Sequence, residues 1–189
     1  IVAAASRMFV EQGFGATTIE AVAEAAGVSR KTVFTAVGGK LDLLKVALDW
    51  AVGGDDQPLT VAQRDDMKRL MEQGDPGVLL DGCAKIMADI GVRSASLMQA
   101  LEVAAGIDPA ARELMEQGHG MRQQDARMIV SRLRDLNALS THLSNAEAVD
   151  VVWLATDSAL YDRLVRVRGW STGRFAEWLA DMLRRQLLR

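Results

Sequence analysis

From end to end, the apolar residues of this chain recur three and four positions apart, and no stretch alternates strictly enough to build a strand. That pattern commits the chain to an all-α fold. The helix starts are marked too. Thr17 with Glu20, Thr60 with Gln63 and Ser144 with Glu147 have the spacing at which a cap residue and the residue three on satisfy each other's free backbone donors. Asp75-Pro76 and Asp108-Pro109 set a capping carboxylate before a proline at the first helical position. The pattern predicts helices over 1–12, 18–25, 29–36, 40–52, 61–73, 76–90, 94–105, 109–137, 145–168 and 172–188, although Gly118 and Gly120 argue against an unbroken 109–137. With 49% apolar residues and three prolines there is ample material for a core and little to interrupt it. The run Gly53-Gly54-Asp55-Asp56-Gln57-Pro58 is the clearest linker, and it divides a head, 1–52, from a body, 53–189.

Several classes of function are disfavoured at once. The one cysteine, Cys83, cannot form an internal disulfide, and no N-terminal stretch combines a basic start, an apolar run and a cleavage site, so a cytoplasmic protein is expected. No apolar run is long enough to span a bilayer. His119 and His142 have no metal-ligand spacing to each other or to Cys83, and Asp65-Asp66 reads as a solvated helix face. No glycine loop follows a strand to cradle phosphates. The expectation is therefore no enzyme, no metal and no cofactor.

The formal net charge of -3 does not advertise nucleic-acid binding, but its distribution is informative. Residues 1–54 are neutral, yet the stretch Ala25–Leu41 carries Arg30, Lys31 and Lys40 and no acid. Before it, Ile19, Val22, Ala23 and Ala26 line one side of a short helix, and Gly27 supplies the left-handed residue that ends it. Ser29 can cap a second helix, in which Val33 and Ala36 fill the corner against small Ala23. These are the requirements of a helix-turn-helix. Arg30, Lys31, Thr32 and Thr35 then point outward, able to donate to phosphates and base edges. On spacing alone, an ordinary helical hairpin with a solvated basic face remains an alternative.

The segment Met8–Leu48 resembles the N-terminal domain of the TetR (tetracycline-repressor) family. The likeness rests on Phe9 and Gly13-Phe14 before Thr17-Thr18-Ile19, on Ala23 to Gly27-Val28-Ser29, and on Lys40 followed by Leu43-Leu44. One departure stands out: where the family commonly has a tyrosine and, three residues on, a phenylalanine, this chain has Phe34 and Val37. The resemblance implies an N-terminal three-helix DNA-binding domain with a C-terminal helical ligand-binding and dimerisation domain. It implies a homodimeric regulator on double-stranded operator DNA, most often a repressor. The expected DNA-binding residues are Thr17, Thr18, Ser29, Arg30, Lys31, Thr32, Phe34, Thr35 and Lys40. Of these, Lys31 and Thr35 are expected nearest base edges, and Thr18, Phe34 and Lys40 along the backbone. The sequence opens on Ile1 rather than a methionine, which leaves room for a preceding arm, often basic in such proteins. The rival reading is a helical ligand-binding or interaction module that no longer binds DNA; the acid-free surface speaks against it.

In the body, Val149, Val152, Trp153, Thr156, Leu160 and Leu164 form one apolar stripe and Phe175, Trp178, Leu179, Met182 and Leu183 another. They either complete the core of one chain or form a four-helix interface with a second copy; the latter is the expectation, with Val149, Val152, Thr156, Leu160, Phe175, Trp178, Leu179 and Met182 at the seam. Between Ala51 and Val152 there is no Phe, Tyr or Trp, yet seven of the nine methionines lie there. Singly each is core filling. Together Met67, Met71, Met87, Met98, Met115 and Met128, with Trp153, are expected to line a cavity for a small apolar ligand.

Overall fold

A computed structural model describes residues 1–189, and the chain forms helices without a named strand. They are α1 (Val2–Ala16), α2 (Ile19–Ala25), α3 (Arg30–Ala36), α4 (Lys40–Gly53), α5 (Asp65–Met71), α6 (Pro76–Ala105), α7 (Pro109–Asp135), α8 (Asn145–Ala155), α9 (Ser158–Tyr161) and α10 (Thr172–Leu187). A 3-10 turn over Val61–Gln63 precedes α5, and a π-helical segment over Asp162–Val167 follows α9.

Most expected caps form. Ser29 accepts from Thr32 N at 3.1 Å, Asp75 Oδ1 from Gly77 N at 2.7 Å, and Asp108 Oδ1 from Ala110 N at 2.9 Å. Ser144 and Glu147 bond reciprocally, at 2.8 and 3.2 Å. The Thr17–Glu20 box does not form. Gly13 leaves the helical region (φ 79°, ψ 168°) and kinks α1, and Thr17 turns its hydroxyl back to the Gly13 carbonyl at 2.8 Å. Thr18 caps α2 instead, accepting from Ala21 N at 3.2 Å.

Several boundaries differ from the sequence expectation: α1 runs on to Ala16, and the 61–73 helix becomes a 3-10 turn and the shorter α5. The break between 90 and 94 is absent, because α6 runs straight through Gly91, whose missing side chain admits the ring of Tyr161. α7 runs unbroken past Gly118 and Gly120, although each helical glycine costs about 1 kcal/mol relative to alanine. The expected 145–168 helix is broken, since Asp157 starts a new helix by accepting from Ala159 N at 2.8 Å.

The chain separates into two compact units. The first comprises Ile1–Pro58 and Ser94–Gly118. Its core gathers Phe9, Phe14, Val22, Val33, Leu43 and Leu44 with Leu97, Leu101, Ala104 and Ala111 from α6 and α7. Phe9 and Phe14 stack with ring centroids 5.9 Å apart. α2 ends at Gly27 (φ 67°), and Val28 N reaches back to the Ala23 carbonyl at 3.0 Å, which closes the turn into α3.

The second unit comprises Leu59–Arg93 and His119–Arg189. Its fully buried side chains include Met67, Leu79, Leu80, Ile129, Leu133, Phe175, Leu179 and Leu187. α10 packs against α8 and the π-helical segment. Tyr161 meets Phe175 edge-on at 5.2 Å and shares a hydrogen bond with the Thr172 hydroxyl at 3.0 Å. After α10 the chain is pinned to the loop before α8, through Ser140 N to the Leu187 carbonyl at 2.7 Å and Arg189 N to the Ala138 carbonyl at 3.2 Å.

Two helix glycines of opposite character test this packing. A Cβ on Gly91 would lie 2.5 Å from Tyr161 Cγ, at the root of a ring that cannot swing clear. Overpacking outweighs the gain in helix propensity there, so Gly91→Ala should lose about 1–2 kcal/mol. Gly118 has nothing within 4 Å of the same position, and Gly118→Ala should gain up to about 1 kcal/mol. Urea unfolding followed by circular dichroism measures both.

Candidate nucleic-acid interface

The orientation of α3 follows from one residue. Val33 is wholly buried in the core of the first unit, and at about 100° per residue Lys31 and Thr35 must then lie on the opposite, outer side. Both are exposed, as are Ser29, Arg30, Thr32 and Phe34. The hydroxyls are held in place: Ser29 and Thr32 share a hydrogen bond at 2.8 Å, and Thr35 Oγ1 donates to the Lys31 carbonyl at 2.9 Å. Lys31 carries its charge free of any ion pair. The surface is thus a short polar ridge with one free cation at its crest.

Arg30 is engaged elsewhere. Its Nε lies 2.9 Å from Glu20 Oε1 on α2, and its guanidinium sits 5.4 Å from the centre of the Phe34 ring. Both charged groups are more than half exposed, so the pair adds little to stability, though it orients Arg30. Spacing pairs Glu20 with Thr17 and so hides this contact; because Thr18 takes the cap, Glu20 is free to cross to α3.

Lys40, at the start of α4, points to the corner between α1 and α2. Its ammonium donates to the Gly15 carbonyl at 3.2 Å and lies 4.3 Å from the centre of the Phe14 ring, and partial burial pulls its pKa below the usual lysine value. It therefore bolts α4 to that corner while keeping donors to spare. Exposed Thr18 stands on the α2 N-terminus. Thr17, by contrast, is buried with its hydroxyl turned inward, so in this conformation it offers nothing to a groove.

The residues expected to line a ligand cavity fall in both units. Met98 and Met115 pack against the core of the first, where they fill space. Met67, Met71, Met87, Met128 and Trp153 belong to the second, and Met67 is fully buried there. Trp153 sits in polar company that no local sequence pattern signals. Its Nε1 donates to the His119 carbonyl at 3.3 Å, and the Arg122 guanidinium lies 5.2 Å from its ring centre. Arg122 in turn pairs with Asp157 at 3.2 Å, and burial pushes the nearby Asp125 carboxyl above its usual pKa. The second unit also has a cleft of about 610 Å³ between α6 and α10, lined by Asp81, Lys85, Asp89, Glu177, Arg184 and alanines rather than methionines.

The expected dimer seam divides in two. Val149, Val152, Phe175 and Leu179 are already buried within one chain, so they serve its own core. Thr156, Leu160, Trp178 and Met182 keep part of their surface in solvent. Trp178 lies edge-on to Trp170 at 6.0 Å, and Arg174 covers the Trp170 ring at 4.0 Å.

α2, the Gly27 turn and the capped, basic α3 together have the geometry of a helix-turn-helix. Residues 1–47 match the family model described as "Bacterial regulatory proteins, tetR family", so this segment is similar to the N-terminal domain of that family. No match was found among curated proteins. Among solved structures the fold is similar to that of NalD, the secondary repressor of the MexAB-OprM multidrug efflux pump in Pseudomonas aeruginosa (TM-score 0.71, 21% identity, covering 100% of this chain and 94% of that one). It is also similar to a transcriptional regulator from Saccharomonospora viridis in complex with choline (TM-score 0.72, 17% identity, 100% and 95%). A third is SmeT, the repressor of the Stenotrophomonas maltophilia multidrug efflux pump SmeDEF (TM-score 0.67, 16% identity, 100% and 88%). At these identities the likeness is one of fold.

Thr17 and Thr18 should separate cleanly under mutation. Thr17→Val removes a buried hydroxyl bonded to the Gly13 carbonyl, and should cost about 1 kcal/mol of stability while leaving the DNA affinity of the folded protein unchanged. Thermal unfolding and a binding titration below the transition temperature give the two readings.

Proposed function

We propose that this protein is a cytoplasmic repressor that binds a near-palindromic operator as a homodimer and is released from it by a small apolar ligand. The observation that carries the reading is the outer ridge of α3, held outward by buried Val33 and bearing unpaired Lys31 beside Thr35. In this reading α3 enters the major groove. Lys31 and Thr35 reach base edges, with Ser29, Arg30 and Thr32 beside them, while Thr18 and Lys40 follow the backbone. Repression is supported by the likeness in fold to NalD and SmeT, both repressors.

A two-fold dimer presents equivalent recognition helices to equivalent half-sites, which is why a near-palindrome is expected. Thr156, Leu160, Trp178 and Met182, apolar or nearly so and still partly in solvent, are the surface for the seam in the second unit. Release requires only that a ligand prefer the arrangement that does not fit DNA. The two heads must sit about one helical turn apart, roughly 34–36 Å, or a multiple of it, so a small reorientation spoils one half-site. A preference of about 1.4 kcal/mol lowers DNA affinity tenfold, and by linkage DNA then weakens the ligand equally. α6 and α7 contribute residues to both units, which gives a ligand near Met67, Met71, Met87, Met128 and Trp153 continuous helices to act on. Similar folds are seen with choline and with triclosan, which supports a small-molecule effector without naming it.

Operator selection from a random DNA library tests the reading, and a protein that enriches no sequence is not such a repressor. On the selected site, Lys40→Ala should weaken every sequence about uniformly and lower the salt slope by about one, whereas Lys31→Ala should relax specificity at one position of each half-site. Trp178→Asp places a charge in the apolar seam and should yield folded monomers by light scattering; a persistent dimer would put the interface elsewhere.

A further inference from the structure

Phe34 sits where the sequence departs from its family, and its surroundings give it a task of its own. It is 45% exposed, the one large apolar side chain on the outer surface of α3. With Val33 anchored in the core, Arg30 and Phe34 run along one flank of the helix, four residues apart, and Phe34 stands between Arg30 and the crest occupied by Lys31. The Arg30 guanidinium lies over the ring at 5.4 Å, and Glu20 holds that guanidinium at 2.9 Å. A cation therefore backs the ring, and the rest of its surface lies in solvent on the flank next to Lys31 and Thr35.

A phenyl ring has no hydroxyl, so it cannot donate to a phosphate, and placing it among phosphates gains nothing. The apolar group that DNA offers on the floor of the major groove is the 5-methyl of a pyrimidine, carried by thymine and by 5-methylcytosine. We propose that Phe34 reads a 5-methylpyrimidine in each half-site. This rests on the assignment of α3 as the recognition helix, and it moves Phe34 from the backbone, where the family resemblance placed it, to a base. Phe34 then contributes sequence preference rather than uniform affinity, and its loss leaves the salt dependence of binding unchanged because no charge is involved.

The test is a methyl scan of the selected operator. In the same position of both half-sites, each thymine is replaced in turn by deoxyuridine and each cytosine by 5-methylcytosine, and the affinities of the native protein and of Phe34→Ala are compared. At one position the native protein should lose about fourfold per half-site on removing the methyl, or gain about fourfold on adding it, the worth of burying one such group. Phe34→Ala should be indifferent to the methyl at that position and respond like the native protein everywhere else. Phe34 lies outside the core, so the variant folds, and the reading is the coupling rather than the loss of binding. A deoxyuridine effect identifies thymine as the base read; an effect confined to 5-methylcytosine identifies a protein sensitive to DNA methylation. The proposal is overturned if no methyl effect depends on Phe34, or if Phe34→Ala weakens all sequences alike and lowers the salt slope. Failure to select any operator would instead overturn the assignment of α3 itself.

Discussion

The burial of Val33 is the contact on which the outer ridge of α3 depends. A seven-residue helix has little stability of its own and no preferred rotation about its axis; both come from the side it buries. Val33 is the only buried residue of α3, and it packs in a core shared with Phe9, Val22 and Leu43. The turn before it permits this approach, because Gly27 adopts a left-handed conformation and Ala23 is small. Rotate α3 by one residue and Lys31, Phe34 and Thr35 exchange places. The chemistry of the outer ridge is thus set from the inside.

Around that contact the first unit is stiffened by interactions that also position charge. Lys40 and Glu20 act in similar ways from different helices: one spans α4 to the Phe14–Gly15 corner, the other spans α2 to Arg30 on α3. Neither is a strong stabiliser, since exposed ion pairs and cation–ring contacts contribute about 1 kcal/mol or less. Their effect is to fix where cations stand, which would reduce the ordering required on binding an anionic partner such as the proposed operator.

Much of this was legible in the sequence, and the exceptions have physical reasons. The helical class, the Gly27 turn, the Ser29 cap and the outward set on α3 follow from local rules acting over a few residues, and they hold. The Thr17–Glu20 box fails because two adjacent threonines compete for one cap, and the kink at Gly13 decides between them. Helix α6 runs on past Gly91 because a ring seventy residues later in sequence fills the space, a fact no local pattern carries. The same holds for Arg122 with Asp157 beside Trp153. For the apolar stripes of the tail, periodicity gave the buried side but not what buries it: Val152, Phe175 and Leu179 are covered within the chain, leaving Trp178 and Met182 for any partner.

The core of the first unit has a floor made from a distant part of the chain. Leu97, Leu101, Ala104 and Ala111 are buried together with Phe9, Leu43, Leu44 and Leu48, although some fifty residues separate the two groups. Substitutions in one group therefore alter the fit of the other, and the two segments must drift together over evolution. A chimera that grafts residues 1–58 onto another regulator would bring a recognition helix without its matched floor. The transferable module is discontinuous: to carry the outer ridge of α3 elsewhere on its own core, Ser94–Gly118 has to travel with it.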